Sequence, residues 1–92
     1  MLGGFRHKGL KRLFENGDRK GVRADHIDRI ENILAVLSVA EKLSNIDLPS
    51  LRLHALKGNL KGFHAVMVRD NWRIVFRFEK GNCYDVDLVD YH

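Results

Sequence analysis

The sequence predicts an α+β domain, with two N-terminal helices packed on a twisted antiparallel sheet. Three observations predict it. Apolar residues recur at helical spacing in the first half, the period changes to two after Pro49, and the turns Asp70-Asn71 and Lys80-Gly81-Asn82 punctuate the second half. At 92 residues the chain has room for one core, so a single domain over 1–92 is expected.

Residues 2–6 predict a short edge strand weakened by Gly3 and Gly4. In 8–16, Leu10, Leu13 and Phe14 fall at i, i+3 and i+4, and Gly17 follows as a helix stop. Asp18 to Ala24 reads as a polar loop. Asp25, with Asp28 three residues on, predicts the N-cap of a second helix. Ile27, Ile30, Leu34 and Leu37, joined by Ile33 and Ala40, carry that helix to about Leu43.

After the break at Asn45 to Pro49, Leu51 to Ala55 alternates as a strand, and Gly58-Asn59 turns the chain. Phe63–Arg69 and Trp72–Glu79 predict a hairpin around Asp70-Asn71, a pair that tolerates positive φ. In that register Phe63, Ala65 and Met67 face Phe78, Phe76 and Ile74 on the core side. A three-residue turn, Lys80-Gly81-Asn82, then sets Tyr84, Val86 and Leu88 on the same face and pairs Asp85 with Arg77.

Composition excludes several classes. The longest apolar run, Ile33 to Leu37, is far short of the roughly 18–20 residues a membrane span needs. Residues 1–6 lack the apolar stretch of a signal peptide, and one cysteine, Cys83, cannot form an intrachain disulfide. A cytoplasmic setting is the expectation. His7, His26, His54, His64 and His92 show no metal-ligand spacing and no P-loop is present, so no metal and no cofactor are expected.

The formal charge is +4, but it is uneven. Arg6, Lys8, Lys11, Arg12, Arg19, Lys20 and Arg23 face only Glu15 and Asp18 across the same stretch, giving that segment +5 and the remainder −1. Such a patch suits docking on phosphates. A solvated helix face is the plainer alternative.

Reactive side chains gather elsewhere. His54, Arg73 and Tyr91 fall on the non-core side of their strands, Lys57 follows at the end of the strand of His54, and the chain reads Asp90-Tyr91-His92 at its end. Two imidazoles, a carboxylate, a phenol and cations match the needs of metal-free RNA cleavage by the substrate's 2′-hydroxyl. That reaction requires one proton acceptor, one donor and compensation of charge on phosphorus. The plainer readings are a half-exposed strand histidine at 54 and a frayed terminus at 92.

Three motifs carry a resemblance: Leu53-His54-Ala55-Leu56-Lys57-Gly58, Val68-Arg69-Asp70-Asn71-Trp72-Arg73-Ile74 and Val89-Asp90-Tyr91-His92. With the opening Phe5-Arg6-His7-Lys8-Gly9-Leu10, they resemble the HigB-type toxins of the RelE superfamily over essentially the whole chain. Ala55 departs from the pattern, standing where a proline is expected after the histidine. The resemblance implies a microbial RNase fold and a ribosome-dependent endonuclease that cuts messenger RNA in the decoding site. It implies neutralisation by a helix-turn-helix antitoxin of the HigA type, with DNA contacted only through the toxin–antitoxin complex. Carried over by position, the catalytic residues are His54, Lys57, Arg73, Asp90, Tyr91 and His92, with His54 and His92 as the proton-transfer pair. Arg69 joins the basic patch as a contact to RNA or the ribosome. A non-catalytic RNA- or antitoxin-binding domain of the same fold, acting in transcriptional autoregulation, is the competing expectation.

Overall fold

A computed structural model describes residues 1–90. Helix α1 spans Lys8–Asn16 and α2 spans Ile27–Val39. Strands β1 (His54–Ala55), β2 (Phe63–Arg69), β3 (Trp72–Glu79) and β4 (Asn82–Asp90) form one antiparallel sheet in the order β1-β2-β3-β4. The helices cover one sheet face.

Local chemistry sets the helix ends. The His7 Nδ1 accepts from the Leu10 amide at 3.1 Å to start α1, and Gly17 closes it at φ 70°. Asp25 is not the cap of α2. The chain enters through a 3₁₀ turn, Ala24–His26, and the Asp25 carboxylate is held instead by the Arg23 guanidinium at 3.1 Å. That pairing also keeps the Asp25 carboxyl below its ordinary pKa. The helix stops at Val39 rather than near Leu43, because the Asn45 Oδ1 accepts from the amides of Glu41 and Lys42 and folds them into a separate turn.

The core lies between α2 and the sheet. Leu10, Ile30, Ile33 and Leu37 meet Val66, Ile74, Phe76, Cys83 and Val86, all fully buried. Each large aliphatic here contributes roughly 1.5–3 kcal/mol of burial. α1 approaches the following loop so closely that a Cβ on Gly9 would sit 2.5 Å from the Gly21 carbonyl oxygen.

The sheet departs from the expected register at two bulges. Beside the turn, Arg69 opposes Trp72 as expected, but a bulge between Met67 and Arg69 adds one residue to β2. Upstream of it His64 and Val66 oppose Phe76 and Ile74, while Ala65 and Met67 oppose Val75 and Arg73. A one-residue slip exchanges the faces of a strand, so Val66 faces the helices and Ala65 and Met67 do not. Arg29 of α2 reaches this point, donating to the carbonyls of Met67 (2.9 Å), Val68 (3.2 Å) and Ser50.

The second hairpin turns on two residues, not three: Lys80 and Gly81 both take positive φ and Glu79 opposes Asn82. Asp85 then forms a bulge at φ 53°. The short turn places Tyr84 opposite Arg77 on the outer face rather than in the core, and the Asp85 bulge then returns Leu88 to its expected place opposite Ile74. The expected Arg77–Asp85 ion pair is present at 3.4 Å. Two further expectations are shortened. Residues 2–6 make only isolated parallel bridges to β4, at Leu2–Cys83 and Phe5–Val86. Of Leu51 to Ala55 only the last two residues are strand, because Arg52 adopts φ 51° and breaks the extension.

Candidate active site

The sheet face turned away from the helices is open, and strand pairing decides what it carries. His54 opposes Ala65, Ala65 opposes Val75, and Val75 opposes Asp87. Directly opposed residues share a face, so these four make one row, with Asp87 about 14 Å from His54 at three strand spacings. Met67, Arg73 and Val89 form the neighbouring row.

His54 is exposed, and its Nδ1 lies 3.5 Å from the Arg52 carbonyl oxygen. That separation is at the limit of a hydrogen bond and leaves the ring chemically accessible. Lys57 is exposed at the edge of the same region, on the residue before the 3₁₀ turn Gly58–Leu60. Arg73 is half-buried on the open face, and its guanidinium donates to the carbonyl oxygens of Asp70 (2.6 Å) and Trp72 (3.0 Å). These bonds hold one cation beside the β2–β3 turn.

Asp90 is exposed and opposes Trp72, which packs on the helix side. Alternation along β4 therefore sets its register position on the face opposite that of Val89 and Arg73. Tyr91 and His92 lie outside the described residues. The open face thus joins His54 with Arg73, and Lys57 borders it.

Two further groups bear on the site. His64, opposite Ala55, stacks on Phe76 with ring centroids 6.1 Å apart, and its Nδ1 is buried without a hydrogen-bond partner. Burial lowers its pKa from 6.5, and the nearby His54 charge lowers it further. The second group lines a cavity of about 210 Å³ on the open face. Phe63, Leu60, Val75 and Val89 supply its apolar wall, and Asp85, Asp87 and Arg6 its polar side. Sequence reasoning missed Asp87. The alternation Val86-Asp87-Leu88 was the available signal for an acid on the outer face. Arg77 is committed elsewhere, lying 4.8 Å over the Tyr84 ring and paired with Asp85 and Glu79.

The basic segment is divided by the fold. Arg6 borders the open-face cavity, while Lys8, Lys11 and Arg12 are exposed on α1. Arg12 pairs with Asp18 at 3.6 Å, Arg19 with Glu31 at 4.0 Å and Arg23 with Asp25 at 3.1 Å. Lys20 is exposed beyond α1, and Arg69 is exposed at the β2–β3 turn. Among the described residues no helix is long and apolar enough to cross a membrane.

A family model described as HigB-like toxin, the RelE-like toxin of the type II toxin–antitoxin system HigB, matches residues 3–92. The chain belongs to the HigB-like toxins. The family resemblance carried by the His54, Arg73 and Asp90-Tyr91-His92 motifs is borne out. A curated relative of this HigB-like toxin, Endoribonuclease HigB of Proteus vulgaris, is 41% identical over 92 residues and covers both chains completely. In fold the toxin is similar to YafQ from E. coli, with TM-score 0.60 and 12% identity, covering 98% of this chain and 93% of that one. It is also similar to the YoeB dimer from Staphylococcus aureus, with TM-score 0.61 and 16% identity, covering 99% and 97%.

Proposed function

We propose that this HigB-like toxin is an endoribonuclease that cuts messenger RNA in the ribosomal A site and so inhibits translation. A cognate helix-turn-helix antitoxin neutralises it. The reading is carried by one observation: an exposed histidine, His54, shares the open sheet face with a fixed cation, Arg73, two strands away, in a chain 41% identical to Endoribonuclease HigB of Proteus vulgaris.

The reaction uses no metal. The RNA 2′-oxygen attacks the adjacent phosphorus while a base takes its proton, the bond from phosphorus to the 5′-oxygen breaks, and an acid protonates that oxygen. The products are a 2′,3′-cyclic phosphate and a 5′-hydroxyl. His54 and His92 divide the two proton transfers, since an imidazole titrates near neutrality. Asp90 orients an imidazole and favours its charged form. Lys57 and Arg73 stabilise the charge that grows on the phosphoryl oxygens. Tyr91 stacks on an unpaired base or donates to the phosphate. The exposed α1 cations Lys8, Lys11 and Arg12, with Arg6, Arg19, Lys20, Arg23 and Arg69, grip ribosomal RNA phosphates.

Single-turnover cleavage on message-programmed ribosomes tests this. His54→Ala and His92→Ala should each lower the rate by about two to four orders of magnitude with the fold and ribosome binding retained. A wild-type rate for His54→Ala, or products ending in a 3′-hydroxyl and a 5′-phosphate, would overturn the scheme.

A further inference from the structure

We propose that Arg29 is a positioning residue: by holding the bulge in β2 it determines that His54 stands on the open face. The proposal rests on the reading of His54 as a proton-transfer residue. Its structural half is separately measurable.

Arg29 belongs to α2 and touches no part of the open face, yet its guanidinium ends at the sheet. The Nε donates to the Val68 carbonyl at 3.2 Å, and Nη2 donates to the carbonyls of Met67 at 2.9 Å and Ser50 at 2.5 Å. The Met67 and Val68 carbonyls lie where β2 carries an extra residue against β3. A bulge disrupts the ladder locally, and a charged fork of donors restores hydrogen bonding to the carbonyls there.

The register on either side shows what the bulge decides. At the turn, Arg69 opposes Trp72, whose ring packs with the core. Without the extra residue, strict alternation from Arg69 would set Met67 and Ala65 on the helix side. His54 opposes Ala65, so it would follow them. With the extra residue, Ala65 joins Val75 on the open face and His54 stands there with them.

The same guanidinium also controls the approach to β1. Ser50 accepts from Arg29, and the next residue, Leu51, accepts from the Met67 amide at 2.8 Å. Arg29 therefore joins the segment leading to His54 to the point where β2 changes register. A lysine has a single nitrogen and cannot span acceptors from two chain segments in this fixed fork.

The test compares Arg29→Met and Arg29→Lys with the unaltered toxin. Cross-strand NOEs between the α-protons and amides of Met67–Arg73 and Val66–Ile74 report the register directly. The expected result for Arg29→Met is loss of these NOEs in favour of Met67–Ile74 pairing, with cooperative melting retained. Single-turnover cleavage should fall by about two to four orders of magnitude, as for His54→Ala, while ribosome binding changes less than twofold. In a His54→Ala background the same substitution should cause no further loss, because Arg29 acts through His54. An equal loss in both backgrounds would overturn the proposal. So would native NOEs in Arg29→Met, whatever His54 does in catalysis. Should Arg29→Met fail to fold, the same readouts on Arg29→Lys decide the matter, with unchanged register and rate counting against the proposal. A His54→Ala enzyme that cleaves normally refutes the functional reading and leaves the register measurement to judge Arg29.

Discussion

Replacing Gly9 by alanine should destabilise this toxin, although alanine is the better helix former. The added Cβ would lie 2.5 Å from the Gly21 carbonyl oxygen, 2.9 Å from its carbon and 2.8 Å from the His7 ring. Two of the three obstacles are backbone, so a rotamer change cannot relieve them, and His7 is itself the N-cap of α1. Overpacking of this kind costs about 1–3 kcal/mol, and loosening the cap adds up to roughly 1 kcal/mol. The propensity gain recovers under 1 kcal/mol, because Gly9 sits in the first turn. The net loss is about 2 kcal/mol, or roughly 8–16 °C in Tm for a domain of this size. Gly4→Ala is the control, since a Cβ there meets nothing within 4 Å. Thermal melts followed by circular dichroism compare the two. A Gly9→Ala protein that melts at or above the unaltered toxin, or a Gly4→Ala protein that falls equally, would refute the packing argument.

Cys83 and His64 give opposite pH dependences. Burial pushes the Cys83 thiol up from 9.0 to about 11, so the folded state keeps a proton that the unfolded chain releases. Stability should decline from about pH 9 to 11 by roughly 3 kcal/mol. Urea melts of Cys83→Ala should lack that component, and native protein should resist thiol labelling at neutral pH. A slope unchanged in Cys83→Ala would reject it. For His64 the depressed folded pKa favours the neutral ring, so stability should fall as pH drops below about 6.5. Melts of His64→Phe between pH 7 and 5 should show a smaller decline, and an identical one would rule the ring out.

The layout was legible because it rests on periodicity. Leu10 with Leu13, and the Ile27 to Leu37 series, announce both helices, and Asp70-Asn71 marks a real turn. What escaped the sequence was register. A bulge is one residue long and leaves no periodic trace, yet the one at Met67–Arg69 moved Ala65 and Met67 out of the expected core, and the two-residue turn before β4 did the same to Tyr84. Asp25 was misread as a cap because a neighbouring arginine competes for its carboxylate, which sequence spacing does not reveal. In the candidate site, alternation found the face of Arg73 because Trp72 and Ile74 on either side of it face the core, while the break at Arg52 left the face of His54 to be set by its pairing with Ala65. Alternation sets Asp87 on the outer face as well, but its place in the row of His54 depends on three successive strand pairings, which spacing along one strand does not show.

The stitching of residues 2–5 to β4 bears on how the toxin is made. All four sheet strands join neighbours in sequence and zip locally. The parallel bridges Leu2–Cys83 and Phe5–Val86 instead bind the segment before α1 to β4, across most of the chain between them. During translation the apolar face of α2 has no sheet to cover it, and the leading segment has no partner, until β4 emerges. A nascent chain ending near residue 80 should therefore remain protease-sensitive, and protection should arise in one late step when β4 is free to pair. The sheet face and the segment before α1 are thus completed together, by one strand.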